Sequence, residues 1–170
     1  MVDFEVSELP PSEHPEEGET APDFTRPLVN REFWEDVSLS ELTAEGPVLL
    51  VFTPMDGDFP ATYVWNELRD RAWDEGRDLQ VVGLSISTPY EHRGFIHERE
   101  MEYALFSDPA NDVGREYGID HELDGMTGIS EPRPAVFLLD ADRTVRYAWV
   151  AEEWPDFPEY DEIEDAIESL

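Results

Sequence analysis

Short apolar runs of strand length alternate with helical segments along this chain, and that order narrows the folds it can adopt. The run Val48 to Phe52 is continuously apolar, as in a strand buried on both faces. A turn containing Pro54 and Gly57 follows it, and then an amphipathic helix is predicted from about Phe59 to Glu75, ending at Gly76. A buried strand that leads through a tight turn into a helix is the repeating unit of layered α/β proteins.

The remaining segments continue the alternation. We predict strands at Val81–Ile86, Tyr103–Phe106, Ala135–Asp140 and Thr144–Val150, and helices at Thr88–Glu100, Asn111–Tyr117 and Tyr160–Leu170. The last two strands are separated by three residues and predict a hairpin. The whole order predicts an α/β protein of thioredoxin-like fold, in which a central mixed β-sheet is flanked by helices.

The chain divides into two parts of different composition. Residues 1–17 are rich in Pro, Glu and Ser, and we interpret them as a flexible acidic lead-in. Residues 18–170 then form one domain that includes the C-terminal helix. The N-terminus has neither a basic start nor a long apolar run, so we expect a cytoplasmic protein without a secretory signal or membrane anchor.

The charge balance is extreme. There are 42 acidic residues against 11 basic ones, giving a formal net charge of -31, and every basic residue is Arg. Such self-repulsion destabilises a compact state in dilute buffer. At about 1 M salt the Debye length falls to about 3 Å, so the same surface is screened there. Since the acids are interspersed with apolar residues throughout, we interpret the composition as adaptation to molar intracellular salt, as in halophilic archaea.

That surface also limits the possible partners. Binding nucleic acid depends on Lys and Arg displacing counterions from phosphates, so we expect no nucleic-acid partner and no anionic membrane. The chain contains no cysteine, which excludes disulfides, thiolate metal ligands and thiol redox chemistry. His92 and His97 are five positions apart and lie about 140° apart on a helix, so we predict no metal site, and no cofactor motif is present.

Several motifs, taken in order, resemble the peroxiredoxin family, also called the alkyl hydroperoxide reductase and thiol-specific antioxidant family. The resemblance rests on the segments GETAPDF at 18–24, VSLSEL at 37–42, PVLLVFTP at 47–54, VVGLSIS at 81–87, LFSD at 105–108, YGI at 117–119 and PRPAVFLLD at 132–140. Each motif is weak alone, but their shared order is specific. The resemblance covers about Gly18 to Val150 and implies an antioxidant oxidoreductase with a redoxin domain.

The resemblance also implies where an active site would lie. The family motif is Pro-x-x-x-Thr/Ser-x-x-Cys with a distant Arg, and it falls here on Pro54, Asp58, Ala61 and Arg133. The cysteine of that motif lies in the first turn of a helix, where backbone N–H groups and the helix dipole favour an anion. An alanine methyl cannot attack an O–O bond. Thr62 is adjacent, but on a helix its side chain points about 100° away from that of Ala61. Its hydroxyl also has no evident base to activate it as a nucleophile.

Two of the other three motif positions allow more than one role. Asp58 is a preferred helix N-cap residue, and its carboxylate is also expected to pair with Arg133 in the cleft. Arg133 is interpreted either as a structural ion-pair partner or as a ligand-binding residue. Pro54 is retained for its turn. Pro134 stands where thioredoxins have a cis proline, so we predict a cis Arg133–Pro134 bond.

Two functions follow from this pattern. The favoured hypothesis is a cysteine-less peroxiredoxin-like pseudoenzyme that acts as a binding, assembly or regulatory module, either as a homodimer or paired with a cysteine-bearing relative. The alternative is a cysteine-independent enzyme that uses the cleft of Asp58, Arg133 and Thr62 on a small anionic or peroxidic substrate.

Overall fold

A seven-stranded mixed sheet is the framework of the protein. The computed structural model describes residues 6–123 and 126–170. Its strands are β1 Ser7–Glu8, β2 Thr25–Val29, β3 Trp34–Ser38, β4 Val48–Phe52, β5 Gln80–Ser85, β6 Ala104–Ser107, β7 Asp120–His121, β8 Glu131–Pro132, β9 Ala135–Leu139, β10 Val145–Val150 and β11 Glu153–Trp154. Its helices are α1 Leu39–Thr43, α2 Phe59–Arg71, α3 Pro89–Arg99, α4 Asp112–Glu116 and α5 Tyr160–Glu168.

The strand order in the large sheet is β10-β9-β4-β5-β6-β2-β3. The central strands β4, β5 and β6 are parallel to one another. On one side β9 pairs antiparallel with β4, and β10 pairs antiparallel with β9. On the other side β2 pairs antiparallel with β6, and β3 pairs antiparallel with β2. This is the thioredoxin-like mixed sheet predicted from the alternating pattern. None of the helices in the described part of the chain combines the length and apolar character needed to cross a bilayer.

Side chains that alternate along β4 and β9 build a separate core on each face of the sheet. Leu49 and Val51 point into a cluster with residues of α2, α3 and α5, which we call the α2 face. Leu50 and Phe52 point into a cluster that contains Leu39 and residues of α4, which we call the α4 face. This alternation is the normal geometry of a strand, and it requires β4 to be apolar at every position.

Helix α2 lies against the sheet at a point where the sheet has no side chain. The indole of Trp65 is almost fully buried and rests on the backbone of Gly83 in β5. A Cβ atom added at residue 83 would lie 2.6 Å from Leu105 Cδ2 and closer still to the Trp65 ring. Glycine at this position therefore sets how closely α2 approaches the sheet.

The end of α2 differs from the prediction. The helix stops at Arg71 instead of continuing to Glu75, because Ala72 adopts a left-handed conformation with φ of 49° and closes the last turn. The reversal lets Trp73 return to the α2 face, where it is buried and its Nε1 donates to Glu164 of α5 at 3.1 Å. Burial of the second tryptophan thus outweighs continuation of the helix to Gly76.

The described part of the acidic lead-in makes contacts with the rest of the chain. Strand β1 pairs with β11, and the Leu9 N–H donates to the Glu152 carbonyl at 2.9 Å. Farther along, the His14 ring lies 6.2 Å from the Phe137 ring. Residues 6–17 therefore lie along the sheet end, whereas residues 1–5 fall outside the described residues.

The contact between Trp65 and Gly83 yields a stability prediction. Gly83→Ala should lower the free energy of unfolding by about 2 kcal/mol or more, because the new methyl group would overlap the side chains of Trp65 and Leu105. Urea denaturation in molar KCl measures the change.

Gly94→Ala is the matched control, since this helical glycine has no atom within 4 Å of an added Cβ. It should raise stability by about 0.5–1 kcal/mol through helix propensity. Equal effects of the two variants would contradict the packing account.

Candidate functional site

The turn after β4 places three of the four predicted positions together at the start of α2. Asp58 has an extended backbone and is the N-cap, and its Oδ1 accepts the Ala61 N–H at 2.7 Å. Its carbonyl accepts the Thr62 N–H at 3.1 Å. Pro60 lies in the first turn, where its missing N–H costs little. The capping role predicted for Asp58 is therefore confirmed.

The first turn of α2 is consequently a poor anion site. Ala61 is fully buried, and its N–H is already bonded to a carboxylate of the same chain. Pro60 offers no N–H at all. Asp58 stabilises the positive end of the helix dipole itself, so a second anion would meet a negative charge where the peroxiredoxin motif has a neutral hydroxyl.

A buried pair fixes the turn in place. His92 Nδ1 lies 2.7 Å from Asp56 Oδ2, and His92 Nε2 lies 2.9 Å from the Phe106 carbonyl oxygen. Since a carbonyl can only accept, Nε2 carries a hydrogen. The Asp56 N–H donates to Ser87 Oγ at 2.8 Å, which ties the turn to the segment after β5. The pair therefore connects the turn to both α3 and β6.

This pair was not predicted from the sequence. Asp56 and His92 are 36 positions apart, and the spacing of His92 from His97 bears only on a metal site. His97 instead contacts the Arg31 carbonyl at 2.9 Å. Across the described residues, no group of three or more His, Asp or Glu side chains is placed to hold a metal ion.

The predicted ion pair between Asp58 and Arg133 stays a prediction. The contacts that define their surroundings differ: Asp58 Oδ1 accepts the Ala61 N–H at 2.7 Å, and Arg133 Nη1 donates to the Ala151 carbonyl at 3.5 Å. Ala61 belongs to the α2 face together with Val136 and Leu138.

Arg133 lies outside β9, which begins at Ala135, and a bend at Pro134 separates the two. It lines a cavity of about 450 Å³ that includes none of Pro54, Asp58 or Ala61. The cavity is lined by Glu8, Leu9, Pro10, Pro11, Ser12, His14, Arg133, Val150, Ala151, Glu152 and Glu153. The fourth predicted position is thus separated from the other three and lies beneath the lead-in.

The guanidinium of Arg133 is buried with little compensation. The residue is 4% exposed, and its Nε is buried without a hydrogen-bond partner in the described structure. Burial lowers the pKa of Arg133, and the Asp120 carboxylate acts in the opposite direction. A buried cation with an unused N–H is destabilising unless another group completes its hydrogen bonds.

His14 lines the same cavity as Arg133. Its Nδ1 lies 2.6 Å from Ser12 Oγ. Burial is the largest cause of its lowered pKa; the Glu16 and Glu19 carboxylates raise the pKa, and the Arg133 guanidinium lowers it. No role for His14 follows from the sequence, because it lies in the segment that is predicted to be flexible.

The prediction of a cis Arg133–Pro134 bond is also wrong. That bond is trans, and the cis bond within the described residues is Trp154–Pro155. Trans is the favoured isomer of an X-Pro bond, and here it accompanies two backbone hydrogen bonds. The Arg133 N–H donates to the Ile119 carbonyl, and the Pro134 carbonyl accepts the Ala151 N–H, both at 2.9 Å.

Comparisons with known proteins all indicate one family. The model of the AhpC/TSA family matches residues 18–148. The putative peroxiredoxin YkuU of Bacillus subtilis (strain 168) is 32% identical over 145 residues, which cover 78% of this chain and 77% of that protein. The chloroplastic peroxiredoxin Q of Gentiana triflora is 28% identical over 131 residues, covering 76% of this chain but 56% of that protein.

A solved structure shows the same fold over nearly the whole chain. The crystal structure of the peroxidoxin BcpB from Mycobacterium tuberculosis has a TM-score of 0.77 and 25% sequence identity. The alignment covers 92% of this chain and 99% of that one.

A double-mutant cycle tests whether the side chains of Asp58 and Arg133 interact. Asp58→Ala should cost about 1 kcal/mol through loss of the cap, whereas Asp58→Asn should cost only a few tenths. Combining Asp58→Ala with Arg133→Ala should give additive losses of stability, with a coupling energy below about 0.5 kcal/mol. Urea denaturation of the four proteins measures this, and a coupling well above that value would show that the two side chains interact.

Proposed function

The chain belongs to the AhpC/TSA family of peroxiredoxins, and we propose that it is a member without thiol peroxidase activity that acts as a binding, assembly or regulatory module. One observation carries the proposal. The first turn of α2 holds a buried alanine whose N–H is bonded to the Asp58 carboxylate. The position that would need a reactive, anion-stabilised thiolate therefore has neither a sulfur atom nor a free donor at Ala61.

The rest of the chain supplies no substitute. The sequence contains no cysteine at any position. The four family positions Pro54, Asp58, Ala61 and Arg133 stay an assignment by resemblance, and the last of them faces a different cavity. A cation that does not face the start of α2 cannot polarise a peroxide bound there.

The alternative function, an enzyme that uses Asp58, Arg133 and Thr62, requires those groups in one cleft. Asp58 bonds to the backbone of α2, whereas Arg133 bonds to the segment after β10. The contacts of the two side chains therefore favour the non-enzymatic role. We propose a homodimer, or a pair with a cysteine-bearing relative, in the cytoplasm of a salt-adapted cell. The net charge of -31 supports that setting and disfavours nucleic acid as a partner.

Peroxide consumption tests the proposal. The purified protein in molar KCl, supplied with a thiol donor, should consume hydrogen peroxide no faster than buffer does. Turnover that scales with protein concentration and survives repurification would overturn the proposal.

Restoring the motif tests why activity is absent. Ala61→Cys alone should react with peroxide as slowly as an ordinary exposed thiol, because Asp58 occupies the helix end and opposes a thiolate. Ser169→Cys, at an exposed position beyond α5, is the matched control. Asp58→Thr combined with Ala61→Cys should react at least about tenfold faster than either single cysteine variant, as a freed helix end favours the thiolate. Equal rates for all three variants would contradict the capping explanation.

A further inference from the structure

The cavity around Arg133 has a charge arrangement that the proposed loss of peroxidase activity does not explain. Arg133 is buried at one side of it, and Glu8, Glu152 and Glu153 are exposed around the rest. Apolar groups of Leu9, Pro10, Pro11 and Val150 line the wall between them. The volume of about 450 Å³ lies within the range of small-molecule sites.

The cationic side of the cavity has one guanidinium nitrogen left for a ligand. Arg133 Nη1 is directed to the Ala151 carbonyl by a long contact of 3.5 Å. Nε is fully buried without a hydrogen-bond partner in the described structure, so a ligand does not reach it in this conformation. Nη2 is not among these buried atoms and makes no hydrogen bond with the described residues, so it is the nitrogen that can donate to a carboxylate in the cavity.

The anionic side contains a like-charge pair that has no cationic partner among the described residues. Glu8 of β1 and Glu153 of β11 are directly opposite each other in the antiparallel register. Like charges at such positions destabilise a strand pair. Glu152 is adjacent to Glu153, and none of the three carboxylates takes part in an ion pair with a described residue. An ammonium group placed between Glu8 and Glu153 would remove this repulsion.

We propose that this cavity binds a small zwitterion, a molecule whose carboxylate contacts Arg133 and whose ammonium group lies between Glu8 and Glu153, with an aliphatic spacer along Leu9 and Val150. An anion without an ammonium group would meet three carboxylates, and a cation without a carboxylate would meet Arg133. The proposal rests on the proposed function, since it names the ligand class of a binding module.

Three probes of equal chain length separate the charge requirements. Isothermal titration calorimetry in the same molar KCl buffer compares 6-aminohexanoate, which is zwitterionic, with hexanoate and hexylamine. The zwitterion should bind at least about tenfold more tightly than either singly charged probe, as each end then has an opposite charge. If hexanoate bound as tightly as 6-aminohexanoate, the cavity would be a simple anion site and the proposal would be overturned. Absence of binding by all three probes would also overturn it.

Variants at the two ends should respond in opposite ways. Glu8→Gln combined with Glu153→Gln should lower the affinity for 6-aminohexanoate about fivefold or more and raise the affinity for hexanoate. The reason is that the double variant removes negative charge from the rim of the cavity. Arg133→Gln should abolish binding of both. Arg115→Gln, at a half-exposed arginine on α4, is the matched control and should change neither affinity.

Arg133 is buried, so the deciding variants are those of the exposed Glu8 and Glu153. They test the proposal even where Arg133→Gln does not fold. Rim variants that leave both affinities unchanged would overturn the proposal. The peroxide assay is independent of these titrations. Peroxide turnover would refute the proposed function. A protein that neither consumes peroxide nor binds 6-aminohexanoate would refute only this inference.

Discussion

The alternation of side chains along the central strands is the constraint on which the rest of the structure depends. It gives the sheet two cores, one beneath α2, α3 and α5 and the other beneath α1 and α4. It also decides where functional side chains can meet. Ala61 belongs to the α2 face, whereas Arg133 lines a cavity that none of Pro54, Asp58 and Ala61 lines. Residues that a motif places in one site therefore have different surroundings in this protein.

Local chemistry at the start of α2 then completes the loss of the family site. A carboxylate at the N-cap satisfies the helix end from within the chain, and this stabilises the fold at a position where the family motif keeps a donor for an anion. The buried Asp56 and His92 pair holds the preceding turn against α3 and β6. The turn is therefore well fixed even though it has no nucleophile to position, which fits a scaffold retained for its shape.

Much of the fold could be predicted because hydrophobic periodicity determines it directly. The apolar run of β4, the capped start of α3 at Thr88 and the β9–β10 hairpin all follow from local patterns. The early end of α2 could not be predicted, since it depends on Trp73 finding a buried place beside α5. The site was predicted where one residue acts on its own helix, as Asp58 does. It could not be predicted where two distant segments meet, because local patterns do not show which side chains the fold brings together; Asp56 and His92, 36 positions apart, are such a pair.

A crystal structure determined in molar KCl tests the central claim most directly, through the position of one guanidinium group. The account predicts that the Arg133 side chain lies in the cavity beside His14, while an Asp58 oxygen accepts the Ala61 N–H. A guanidinium within ion-pair distance of Asp58, on the same face of the sheet as Ala61, would contradict it.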